Sequence, residues 1–300
     1  MNPPSTKSGW TQRPKVGVVV GCGGIKAFAA VALFDFLQNE GIKLDLLVGC
    51  SGGSLMCACL AAGYTPQEIR NLMGELLDRK LFSQVNYRSL LGIANAHLGR
   101  FDQTSGVLKP DRVKRIYQRL FKDLRLEDLR PKTVLQATDI ETGEGVILSR
   151  GSVRDAVYAS SAFFPVFPPI EIAGRWLGDG VYSAPVPVME AIKRNMDVII
   201  TVDFEERSTA APQGFFECFE RHVINTTRSL ARSQMFLGIG LHHHEIIPVH
   251  VQFDRTINLH KVKELPTILE AGEQAVASAK TAILSAIRSF PEARRADKLS

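Results

Sequence analysis

The stretch that decides the fold is Leu44-Asp45-Leu46-Leu47-Val48-Gly49-Cys50-Ser51-Gly52-Gly53-Ser54-Leu55-Met56-Cys57-Ala58-Cys59-Leu60-Ala61-Ala62-Gly63. Its first five residues are short, apolar and compatible with a strand. Its last part is made of small, helix-compatible residues and is stopped by Gly63. Between them lies Gly49-Cys50-Ser51-Gly52-Gly53, a G-x-S-x-G sequence on a strand-to-helix turn. Such a turn is tight enough to need glycine where a Cβ would collide. It lifts the Ser51 hydroxyl above the sheet, at the positive end of the following helix, where negative charge is stabilised. Ser51 therefore reads as a nucleophile, with Gly49 and Gly53 as the glycines of its elbow.

The segments on either side extend the same pattern. Val16-Gly17-Val18-Val19-Val20 is a continuous apolar run, as expected of a strand buried on both faces. It runs into Gly21-Cys22-Gly23-Gly24-Ile25-Lys26 and an apolar helix over 27–39. Strand, helix, strand, helix in that order predicts parallel strands. Thr65-Pro66-Gln67-Glu68 carries the N-cap, proline and glutamate of a capping box, starting a helix that runs to about Lys80. Residues 82–108 read as loop with short helices that could cover the site, and 109–122 as a helix. Strands are expected over 133–138 and 146–148, then a helix over 153–160. Ser161-Ala162-Phe163-Phe164-Pro165-Val166-Phe167-Pro168-Pro169 has too many prolines for regular structure and reads as a fixed apolar loop. A helix is expected over 187–194, a buried strand over 198–202, a helix over 215–237, a short edge strand carrying Pro248 over 245–251 and a long amphipathic helix over 265–287. The expected architecture is a three-layer α/β/α domain with a mainly parallel central sheet. Residues 1–14 read as a loose tail, 15–290 as one domain and 291–300 as a second tail.

Composition narrows the function classes. The 300 residues carry a net charge of +5 with scattered basic residues, which favours anionic surfaces and gives nucleic-acid binding little support. Five cysteines, an odd number, read as buried free thiols of a reducing compartment. The uncharged run 46–67 is long enough to raise a membrane span, but its glycines, serines and elbow pattern argue for a buried strand-turn-helix. The N-terminus lacks an apolar signal-peptide core. A cytosolic protein with access to membrane surfaces is expected.

Acyl transfer by a serine needs a base, an oxyanion hole and an acyl pocket. Gly21–Gly24 follows a strand and opens a helix, so its amides can face an anion. The loop is not a dinucleotide fingerprint, because Lys26 stands where G-x-G-x-x-G needs glycine. For the base, an α/β-hydrolase would supply a late histidine. The seven histidines include the run His242-His243-His244, whose spacing makes a poor metal site. Asp179, in Gly178-Asp179-Gly180 directly after an apolar segment, is the better candidate.

Four ordered motifs together resemble those of the patatin-like phospholipases, over about residues 16–204. They are Gly21-Cys22-Gly23-Gly24-Ile25-Lys26-Ala27, Gly49-Cys50-Ser51-Gly52-Gly53, the block from Ala159 to Pro169, and Asp179-Gly180. The resemblance is closest to the compact bacterial members. It implies Ser51 as nucleophile and Asp179 as its base in a Ser-Asp dyad without histidine. It implies Gly23 and Gly24 as donors of oxyanion amides and Lys26 at the family's basic, phosphate-contacting position. The activity implied is hydrolysis of acyl esters of lipids through an acyl-enzyme, with no metal or organic cofactor; the alternative is a non-catalytic lipid- or protein-binding member of the fold. The chain departs from the family pattern at Cys22, Ala27 and Val181, and its oligomeric state is left open.

Overall fold

The computed structural model describes residues 13–76, 84–93, 99–207, 211–212, 214–241, 245–257 and 262–296. A mixed sheet lies at its centre. Strand β1 (Val16–Val20) pairs in parallel with β2 (Leu46–Cys50) on one side and β7 (Val198–Glu206) on the other. β2 continues in parallel to β3 (Lys132–Asp139), and β7 to β8 (Glu245–Phe253). Three short strands attach antiparallel at one end: β4 (Gly145–Leu148) and β6 (Arg175–Asp179) on β3, and β5 (Ile170–Ile172) on β6. The sheet is thus parallel through its middle and antiparallel at that one end.

Alternation along the strands divides the core in two. Val18 and Val20 of β1 point into the larger core, and Val19 points into the smaller one. β7 does the same, with Val198, Ile200 and Val202 on one side and Ile199 on the other. Neighbouring side chains on a strand face opposite sides of the sheet, so a run apolar at every position needs cover on both. Helices α1 (Ala30–Asn39), α2 (Gly52–Ala61), α6 (Val153–Ser161) and α9 (Leu265–Ala296) cover the first face; α7 (Val188–Lys193) and α8 (Gly214–Leu241) cover the second. Each fully buried valine or leucine contributes roughly 1.5–3 kcal/mol. This is the three-layer arrangement expected.

The remaining helices among the described residues are α3 (Pro66–Leu76), α4 (Tyr87–Ile93) and α5 (Asp111–Phe121). Both halves of the capping box start α3: Thr65 N–H donates to Glu68 at 2.8 Å and Glu68 N–H donates to Thr65 Oγ1 at 3.2 Å. The end of that helix expected near Lys80 lies outside the described residues. Several boundaries differ from expectation. The helix expected from residue 27 begins as a 3-10 turn over Gly24–Ala29 and becomes α-helical only at Ala30. β8 is an edge strand, but nine residues long rather than short; Pro248 is tolerated because one of its sides is unpaired. Helix α9 runs to Ala296, into the stretch read as a tail. Among the described residues, no helix is long and apolar enough to cross a membrane.

Candidate active site

The register of β3 brings the two key side chains together. β2 pairs with β3 up to Cys50 opposite Gln136, and β6 pairs with β3 from Asp179 opposite Ala137. β4 occupies an edge of β3 over Leu135–Thr138, overlapping both partners, so β2 and β6 lie end to end on the other edge. The residue after β2 is Ser51 and the last residue of β6 is Asp179. Ser51 Oγ donates to Asp179 Oδ2 at 2.8 Å.

Ser51 sits at φ 54°, ψ −124°, immediately before α2. Positive φ is uncommon for a residue with a Cβ and costs of order 1–3 kcal/mol. Its backbone is held on both sides. The Ser51 carbonyl accepts from Ser54 N–H at 2.9 Å and from Ser54 Oγ at 2.6 Å, and Ser51 N–H donates to Ser160 Oγ at 3.1 Å. A Cβ on Gly49 would press on Ser54, and one on Gly53 would overlap the Val20 carbonyl oxygen. The nearest approach is at Gly52, where a Cβ would overlap the carbonyl oxygen of Gly24. The elbow and the glycine-rich loop thus touch backbone to backbone.

That loop is pinned at its start. Gly21 N–H donates to Val202 O at 2.9 Å and Cys22 N–H to Pro185 O at 2.8 Å. Gly24 adopts φ 54°, which glycine takes without a Cβ penalty, and opens the 3-10 turn. First-turn amides have no partner within their own helix, and Gly24 holds such a position. Gly23 packs its backbone under the Phe204 ring. Lys26 is placed differently from a free phosphate contact: its ammonium pairs with Glu206 Oε1 at 3.0 Å, both side chains only 13% exposed. The same Glu206 oxygen accepts from Ile257 N–H at 3.0 Å.

Asp179 is 1% exposed. Burial disfavours its charged form and lifts its pKa to about 7, although Val181 N–H, donating to Oδ1 at 2.9 Å, and the Ser51 hydroxyl both pull the other way. A carboxylate that is part-ionised near neutrality and bonded to a serine hydroxyl can take that hydroxyl's proton. The departure at Val181 contributes here through its backbone amide, which any residue would supply. Cys22, partly buried beside Asp179, has its thiol pushed up to about 12 by burial first and by the neighbouring carboxylate second, so it is a neutral thiol rather than a competing nucleophile.

Aromatic side chains join the proline loop to the turn after Asp179 and to α8. Phe163 stacks on Tyr182 at 5.8 Å between ring centres, and the Tyr182 hydroxyl donates to Phe164 O at 2.9 Å. Phe164 meets Phe101 edge-on at 6.1 Å and Phe219 of α8 at 6.2 Å, and Phe219 stacks on Phe215 at 6.2 Å. Phe167 instead belongs to the core. The proline loop is joined to the segment before α5 by Val107 N–H to Pro165 O at 2.8 Å and Leu108 N–H to Val166 O at 2.9 Å.

Sequence reasoning did not single out Ser160, whose only signal is its place beside Ser161 in the proline-ended block, nor Glu206. Of the histidines, His97, His242, His243, His244 and His260 lie outside the described residues. His250 Nδ1 pairs with Asp203 at 2.7 Å and His222 bonds to Cys218 O within α8. Among the described residues no three His, Cys, Asp or Glu side chains converge as a metal site requires.

Comparison with known proteins bears on this geometry. Residues 18–192 match the family model described as patatin-like phospholipase. An uncharacterized NTE family protein of Mycobacterium tuberculosis is 25% identical over 189 residues, 63% of this chain and 49% of that protein. The lysophospholipase NTE1 of Kluyveromyces lactis is 24% identical over 200 residues, 67% of this chain but 13% of that protein. The chain therefore spans about half the length, or far less, of these curated relatives. The crystal structure of VipD from Legionella pneumophila superposes with a TM-score of 0.53 at 15% identity, over 89% of this chain and 67% of that one, a likeness of fold.

Proposed function

Because the chain belongs to the patatin-like phospholipase family, we propose that it is a serine acyl hydrolase cleaving lipid esters through Ser51 and Asp179. The observation that carries this reading is the 2.8 Å bond from the Ser51 hydroxyl to a carboxylate buried at the end of β6. In the proposed reaction Asp179 accepts the Ser51 proton as Ser51 Oγ attacks the ester carbonyl. The charge that develops on the carbonyl oxygen is met by the amides of Gly23 and Gly24 and by the N-terminus of α2. Asp179 returns the proton to the leaving alcohol, and an acyl group remains on Ser51. Water, deprotonated by Asp179, then hydrolyses that ester. Lys26 acts in this scheme by holding the glycine-rich loop to the end of β7 through Glu206; contact with a substrate phosphate would require that ion pair to open.

The base must be ionised to work, and its pKa of about 7 sets the pH dependence. kcat/KM should rise with pH, half-maximal near 7, and flatten above it. A pH series on a short-chain ester measures this; a flat profile from pH 5 to 8 would remove Asp179 as the base.

The aromatic path supports lipid as the substrate class. Phe163, stacked on Tyr182 three residues after Asp179, and the edge-on pair Phe164 and Phe101 offer apolar surface, and each acyl methylene buried there is worth roughly 0.8 kcal/mol. Tyr87, at 73% exposed, Leu91 and Ile93 of α4 and Phe215, at 70%, present further apolar surface on the segments tied to that loop. A lipid aggregate would cover it. Turnover should therefore increase with acyl chain length, and increase again on anionic vesicles at low salt, given the net charge of +5. The deciding experiment is labelling with a fluorophosphonate probe. One probe per chain, located at Ser51 by mass spectrometry, is expected. A folded protein that takes up none would leave the non-catalytic reading in place.

A further inference from the structure

We propose that Ser160 is a positioning residue whose buried hydroxyl sets the separation of Ser51 from Asp179. The proposal rests on the acyl-hydrolase reading for its kinetic consequences and on strand register alone for its structural one.

β2 and β6 meet on one edge of β3. β2 leaves that edge after Cys50, opposite Gln136, because the chain turns up into the elbow. β6 takes over one residue later, at Asp179 opposite Ala137. Two strands cannot meet end to end without a break in the ladder, and the break falls between Ser51 and Gln136. Ser160 fills it. Its Oγ accepts from Ser51 N–H at 3.1 Å and donates to Gln136 O at 2.6 Å. One hydroxyl is thus inserted where a direct amide-to-carbonyl bond would close a continuing ladder. The strand end is held one oxygen further from β3 than a ladder allows, which gives the elbow room to turn.

The same carbonyl serves the other member of the pair. A Cβ on Gly180, the residue after Asp179, would overlap Gln136 O. The backbone that follows the base and the hydroxyl that holds the nucleophile therefore rest on one fixed group. Ser160 is fully buried, at 0% exposed, within α6, and α6 is packed against β3 and β6. Ser160 meets Ser51 through the backbone amide and not through the reacting Oγ, so its effect on chemistry is indirect. It also engages the Ser51 N–H, which leaves the glycine-rich loop and α2 to supply the oxyanion donors.

The neighbouring Ser161 separates this role from a general need for serine in α6. Its hydroxyl donates to Val157 O at 2.7 Å, an ordinary bond back to its own helix, and meets the Tyr117 hydroxyl of α5 at 3.4 Å. The two serines are alike in sequence and opposite in duty.

The test compares Ser160→Ala and Ser160→Cys with Ser161→Ala. Without the hydroxyl, the Ser51 amide loses its partner and the strained elbow relaxes away from β6. In a crystal structure of either Ser160 variant, Ser51 Oγ and Asp179 Oδ2 should stand more than about 3.5 Å apart, beyond hydrogen-bond range. kcat should fall about 10- to 100-fold with KM within about twofold, as expected when reacting groups are misplaced by a fraction of an ångström to an ångström. The pH midpoint should move upward, because Asp179 loses a bond that favours its charged form. Ser161→Ala should match the parent in all three. Ser160→Cys leaves no cavity and decides the matter if the alanine variant aggregates. A folded Ser160 variant with the parent's distance, kcat and pH midpoint would overturn the proposal; so would failure of both variants to fold, which would assign Ser160 to the scaffold. If the parent itself hydrolyses no ester, the functional reading fails while the crystallographic distance still decides the role of Ser160.

Discussion

Ser51→Ala is expected to abolish ester hydrolysis and fluorophosphonate labelling while leaving the fold in place. Removing the nucleophile of an acyl-transfer site that acts as a unit costs on the order of 10⁴-fold in kcat or more. The stability side is small by comparison. Alanine has the same backbone preferences as serine near φ 54°, so the strain at the elbow is unchanged. The bonds of the Ser51 amide and carbonyl to Ser160 and Ser54 use backbone atoms and survive. Only Asp179 Oδ2 loses a donor, and at 1% exposure it has no bulk water to replace it. The carboxyl should answer by holding its proton to higher pH rather than by opening the site. Hydrolysis of a short-chain p-nitrophenyl ester, followed beside circular dichroism, is the measurement. Near-parent turnover by a folded Ser51→Ala protein would end the proposed mechanism.

What could be read from sequence, and what could not, divides by the range of the interaction. β1 and β2 are legible because five consecutive buried positions need apolar side chains on both faces, and that demand is local. The start of β2 is not: Leu44 and Asp45 look as strand-like as Leu46. Asp45 is drawn off by Arg13 and by Val16 N–H, which it accepts at 2.9 Å, partners about thirty residues away. β5 has three residues, follows two prolines and is half-exposed, so its only support is β6. The same division holds at the site. Ser51 announces itself through its glycines. Its contact with Asp179, across 128 residues, becomes visible only when β3 pairs with both β2 and β6. The ion pair of Lys26 with Glu206 spans a still longer interval, and no feature near Lys26 signals it. Within the proline loop, whose residues all read alike as apolar, Phe167 went to the core and Phe164 to the surface. Residue type alone does not say which way a side chain turns in irregular backbone.

Asp179→Asn should be nearly as inactive as Ser51→Ala and yet more stable than the parent above neutral pH. The loss of activity follows from the base: an amide cannot accept the serine proton, and imidazole does not stand in for it among the described residues. The one described histidine paired with a carboxylate, His250 with Asp203, is held within the β7–β8 pairing, whereas the Ser51 hydroxyl is committed to Asp179. His250→Ala and the triple change of His242, His243 and His244 to alanine should therefore be mild. Burial raises the folded carboxyl from the ordinary value of 3.8 to about 7. The folded state thus binds a proton that the unfolded chain has released between those values. The stability gained from it is full below about pH 4 and is lost as pH rises to about 7. At roughly 1.4 kcal/mol per pH unit, the difference approaches about 4 kcal/mol at pH 8. Asparagine carries no charge into the core and escapes this loss, while its amide can still accept from Val181 N–H and meet the Ser51 hydroxyl. Thermal melts at pH 4, 6 and 8 should show the Asp179→Asn advantage growing with pH, beside an activity reduced by several orders of magnitude. An active Asp179→Asn enzyme, or an advantage that shrinks as pH rises, would mean that the buried carboxyl is not the group that takes the proton from Ser51.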